Sequence, residues 1–84
     1  MLEFTLVTSN GSFPFYTDHA TLGRDNRCSF VLPDASVMGL HAALLVEAGR
    51  LYIEKRNLDA LTFVNRAPIH RRVELYDGDL IDIG

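Results

Sequence analysis

Turn signals recur about every eight to twelve residues along this chain, and no stretch of about ten residues between them shows helical period. Such spacing admits short strands and little else. Leu2, Phe4 and Leu6 alternate with Glu3, Thr5 and Val7, which is strand period. Asn10-Gly11 follows, a pair that tolerates the positive φ of a hairpin turn. Phe13 and Phe15 then flank Pro14, a pattern suited to an edge strand. Residues 1–16 are therefore expected to form a β-hairpin. Further strands are expected at Ala20–Leu22, Ser29–Leu32, Ala42–Val46, Arg50–Glu54, Leu61–Val64 and Leu80–Ile83. Between them lie turns at Thr17-Asp18-His19, Pro33-Asp34, Ala48-Gly49 and Asn65-Arg66-Ala67-Pro68, and a hairpin signal at Asp77-Gly78. Alanine and leucine could draw residues 42–46 into a helix, but Gly49 breaks the run after about two turns. The pattern predicts an all-β sandwich or barrel with little or no helix.

At 84 residues the chain is expected to be one domain, and 48% apolar composition suffices for a modest core. A formal charge of −3 argues against a duplex nucleic-acid binder. The lone Cys28 cannot form an internal disulfide, and no cysteine–histidine spacing suits a metal. A reducing, cytoplasmic setting follows as the expectation. The N-terminus lacks the basic and apolar regions of a signal peptide, and no run is long enough to span a bilayer, so direct membrane insertion is not expected. No nucleophile motif or phosphate-cradling glycine loop frames the serines and histidines, so neither an enzyme nor a cofactor is expected.

The stretch from Thr21 to His41 holds two loops: a charged one opening at Gly23-Arg24 and a second one closing at His41. Arg24 can grip a phosphate, or pair with Asp25 or Asp59 and stiffen the loops. His41 reads as a hydrogen-bonded structural residue. Arg71-Arg72, with Arg66 and His70, reads as a basic patch or a solvated turn.

Leu22-Gly23-Arg24, Cys28 to Asp34, and Val37-x-x-x-His41 stand in order with Leu51-Tyr52-Ile53-Glu54, Thr62-Phe63-Val64-Asn65 and Asp77 to Gly84. In that order and spacing the chain resembles the forkhead-associated (FHA) domain family from about Ala20 onward, and residues 1–16 fit the family's opening hairpin. The resemblance implies an FHA-like β-sandwich of two mostly antiparallel sheets. It also implies loops at one end that bind phosphothreonine peptides. Arg24 would then help hold the phosphate, Gly23 would allow a sharp turn, His41 would brace the second loop from behind, and Asn65 would be structural. The family continues into one more strand. The expectation is a domain of residues 1–84 lacking that strand, either cut from a longer protein or open to self-association through a sheet edge.

The residues depart from the family where the ligand sits. Met38 stands where the family's phosphate-binding serine would be, and a thioether donates no hydrogen bond. Gly39 replaces an arginine or asparagine. Ala60 replaces the asparagine that holds the peptide backbone, and Asp59 sets a carboxylate where a phosphate would approach. A shifted loop would let Asn57 stand in for the missing amide. A non-catalytic protein-interaction module is expected, acting on a protein or peptide partner without phosphothreonine, as a scaffold or regulator. The alternatives are a phosphothreonine reader using Arg24 and a regulatory domain cut from a larger signalling or secretion protein.

Overall fold

The computed structural model describes residues 4–8 and 11–84. They form ten strands and no helix. β1 (Phe4–Thr8) and β2 (Gly11–Phe15) pair antiparallel, as the opening hairpin requires, with Phe4 opposite Phe15. The first residues of the chain and Asn10 of the expected turn lie outside the described residues.

The larger sheet contains β3 (His19–Gly23), β4 (Phe30–Val31), β5 (Ala42–Glu47), β6 (Arg50–Lys55) and β9 (Arg72–Leu75), in the spatial order β4-β3-β5-β6-β9. All its pairs are antiparallel except β3 with β4. The smaller sheet, in the order β10-β7-β8, contains β7 (Thr62–Val64), β8 (Ala67–Pro68) and β10 (Ile81–Ile83). The apolar alternation puts one face of each sheet inward. Ala20, Leu44, Ile53 and Val73 are successive register partners across the larger sheet. They meet Val64 and Ile69 from the other side, with Ile81 and Ile83 packed against the cluster. The arrangement is a β-sandwich, one of the two architectures the strand spacing admits and the one the family resemblance implies.

Residues 42–46 are strand, as Gly49 dictates: Ala48 and Gly49 both take positive φ (52° and 74°) and close a two-residue hairpin. The Asn65-Arg66 turn works the same way, with both residues at positive φ, but Ala67 and Pro68 pair back onto β7 and are not part of the turn.

The Asp77-Gly78 signal needs correcting. It does make a tight turn, with Gly78 at φ 85°, but the strands on either side do not pair. β9 joins β6, whereas β10 joins β7 in the other sheet. The cause lies in Asn65. Its Nδ2 donates to Asp79 Oδ1 (3.0 Å), and its Oδ1 accepts from the Leu80 N–H (3.0 Å). Its backbone N–H donates to the Leu80 carbonyl (2.7 Å). These bonds carry the chain across to β7.

Candidate recognition surface

The strand directions gather four connections at one end of the sandwich: residues 24–29, 32–41, 56–61 and 69–71. The first two are zipped together by backbone bonds. Arg24 N–H donates to the Met38 carbonyl (2.9 Å), and Asp25 N–H donates to the Gly39 carbonyl (3.0 Å). The Cys28 thiol donates to that same Gly39 oxygen (3.3 Å). This oxygen presses so closely on Gly23 that a Cβ there would overlap it. Gly23 is therefore required by close approach. The sharp turn expected of it is not the reason, since its φ lies outside the left-handed region.

His41 is fully buried beneath these loops. Its Nδ1 accepts from the Met38 N–H (3.1 Å), which leaves the proton on Nε2, where it is donated to the Leu61 carbonyl (2.9 Å). One ring thus ties residue 38 to residue 61 and holds two loops in register.

Arg24 is exposed, and its guanidinium makes no hydrogen bond or ion pair with a described residue. Its sequence neighbour Asp25 belongs to Arg27 instead. The Arg27 side chain donates to both Asp25 oxygens (3.1 and 2.8 Å), and the Arg27 N–H also donates (2.9 Å). The Arg27 guanidinium, then its amide, holds the Asp25 carboxyl down at about 2. Met38 is half-buried, while Gly39 and Asp59 are exposed. The Asp59 N–H donates to Asn57 Oδ1 (2.9 Å), so the Asn57 carbonyl is committed to its own turn.

Two expectations fail here for geometric reasons. Ala60 is fully buried, so it floors the loop and offers no contact; an asparagine at that position would bury its amide. Arg66 sits on the β7–β8 turn at the far end of the sandwich and cannot join Arg71-Arg72. In its place Lys55 and Arg56 stand beside His70 to Arg72 and line one cleft with them.

Three leucines on these connections belong to no motif in the sequence. Leu58 is 85% exposed, Leu61 61% and Leu40 46%, all on the connections that surround His41. Their signal was an apolar residue inside a turn-rich segment, outside any strand period. Among the described residues no three histidine, cysteine, aspartate or glutamate side chains gather as metal ligands.

The FHA domain family profile matches residues 20–84. The chain belongs to the FHA domain family. Among solved structures, this FHA domain is similar to Mycobacterium tuberculosis EmbR in complex with a low affinity phosphopeptide, at 25% identity and TM-score 0.85. That match covers 96% of this chain and 22% of EmbR, so the chain spans about a fifth of that relative's length. It is also similar to the FhaA FHA domain complexed with the intracellular domain of Rv3910: 26% identity, TM-score 0.80, 98% of this chain and 89% of that one. The FHA-2 domain of the Mycobacterium tuberculosis ABC transporter Rv1747 is 31% identical, with TM-score 0.71, over 83% of this chain and 64% of that one. No curated protein matches the chain.

Proposed function

We propose that this FHA domain is a non-catalytic protein-binding module whose loop end engages an apolar segment of a partner and does not require phosphothreonine. The exposed set Leu40, Leu58 and Leu61 carries this reading. At the positions where the family resemblance places phosphate- and peptide-holding side chains other than Arg24, this chain offers no such donors. Met38 has none, and its N–H is engaged by His41. Ala60 is buried, and Asp59 brings negative charge to the rim.

Magnitudes favour the same direction. A hydrogen bond to a charged group contributes about 1.5–3 kcal/mol. Micromolar affinity amounts to about −8 kcal/mol. Losing two such donors therefore removes a large share of an ordinary phosphopeptide interaction. Burying apolar surface, at about 25 cal/mol per Å², needs neither donor. A neighbouring FHA domain complexed with a protein's intracellular domain supports a protein partner.

One observation favours a second reading. The Arg24 guanidinium is exposed and unpaired among the described residues, as a phosphate-binding arginine would be. EmbR in complex with a low affinity phosphopeptide supports that reading too. On either reading the domain serves as the recognition or regulatory part of a larger assembly, working in the cytoplasm. Phosphatase treatment separates the two. A partner captured by the wild-type domain remains bound after lysate dephosphorylation and is lost with Leu58→Asp. Loss on dephosphorylation, with capture unaffected by Leu58→Asp, would contradict the first reading.

A further inference from the structure

The end of β6 and the 69–71 connection lie side by side, joined where the Lys55 N–H donates to the Arg71 carbonyl (2.8 Å). Between residues 54–58 and 70–72 opens a cleft of about 400 Å³, a size that accommodates one or two side chains. Four of the chain's eight lysine and arginine residues line it, against the single carboxylate of Glu54. It is locally positive in a chain of formal charge −3.

The cations are not equally occupied. Arg56 contacts Glu54 (3.6 Å) and His19 (3.3 Å). Arg72 pairs with Glu47 and lies over the Tyr52 ring at 4.2 Å. Among the described residues Lys55 Nζ donates to the Leu58 carbonyl (3.2 Å) and pairs with no carboxylate. The Arg71 and His70 side chains make no hydrogen bond or ion pair with described residues. Arg71 thus offers an open guanidinium fork, the group best shaped for a carboxylate.

We infer that this cleft binds acidic side chains flanking the segment held at the loop end. β9 stands three strands from β3, about 14 Å at ordinary strand spacing. An extended peptide crosses that span in about four residues. The inference deepens the protein-binding reading and rests on it for the partner's identity. Leu58 borders both surfaces, but the test uses isolated acidic peptides without apolar side chains, so the cleft stands or falls apart from the apolar reading.

The experiment is an amide-shift titration of the whole chain with an alternating glutamate–glycine peptide and its glutamine twin, near physiological salt. Saturable shifts confined to residues 54–58 and 70–72 are expected with the glutamate peptide alone. Arg71→Glu should weaken binding about tenfold or more. Arg66→Glu, the same charge change at the far end, should leave it within about twofold. Equal binding of the glutamine twin, or equal weakening by Arg66→Glu, would overturn the inference. So would a single-stranded oligonucleotide that occupies the same amides at lower concentration than the peptide.

Discussion

A Cβ at Gly23 would overlap the Gly39 carbonyl oxygen and come within 2.9 Å of the Cys28 sulfur, whereas a Cβ at Gly39 would meet nothing within 4 Å. The two glycines face each other across the zipped loops, yet the fold depends on only one of them. Gly23→Ala should destabilise the domain by about 1–3 kcal/mol, because backbone and sulfur must move to admit the methyl group. Gly39→Ala should fall within about 0.5 kcal/mol of wild type. Urea denaturation of the two variants checks the contrast. The open space at Gly39 means that the smallness of this residue is a property of the recognition surface and not a demand of the core. The same holds in reverse for Ala60, whose exposure could not be read from its place in a polar loop. A small residue looks the same in sequence whether it floors a loop or lines a surface.

At the scale of elements, Asn65 joins the β7–β8 turn to the segment that delivers β10. It holds φ 52° and makes two side-chain hydrogen bonds. Asn65→Ala loses both bonds and strains the turn, and should cost about 2–4 kcal/mol. Asn65→Gly keeps the turn geometry and should cost less. The cluster also makes part of the stability sensitive to acid. The Asn65 amide, then the Tyr76 N–H (2.8 Å), hold the Asp79 carboxyl below its ordinary value. A folded value below the unfolded one adds stability above about pH 4, and this is lost as pH falls through the folded value. The difference between wild type and Asn65→Ala should therefore shrink on acidification, measurable by urea denaturation at neutral and at acid pH. Short-range chemistry of this kind was legible beforehand: β1 with β2, and β5 with β6, follow from period-two alternation and their turns. The partner of β10 was not. Asp77-Gly78 specifies a turn, but which sheet receives the next strand depends on contacts with Asn65, a dozen residues earlier in the chain.

For the whole molecule, the strand directions bring Arg24, Met38, Leu40, Leu58 and Leu61 to one end and put Arg66 and Asn65 at the other. The importance of Gly23 and His41 was legible through the family resemblance and not through local chemistry, since Gly23 answers to the Gly39 carbonyl and His41 to the Leu61 carbonyl, both distant in sequence. The character of the surface was less so. Leu58 counts as one more apolar residue in composition, and only its 85% exposure marks it as displayed. The basic cleft likewise joins residues 54–58 to residues 70–72 through sheet pairing that adjacency in sequence does not reveal. The resulting molecule keeps the FHA loop frame and carries exposed aliphatic side chains at the same end as an arginine that pairs with no described residue. The most direct measurement is an amide-shift titration with matched threonine and phosphothreonine peptide pools. If the loop end does not depend on phosphate, the two pools should perturb residues 38–40 and 58–61 alike, and Arg24→Ala should change neither titration by more than about twofold. Micromolar binding of the phosphothreonine pool alone, abolished by Arg24→Ala, would contradict it.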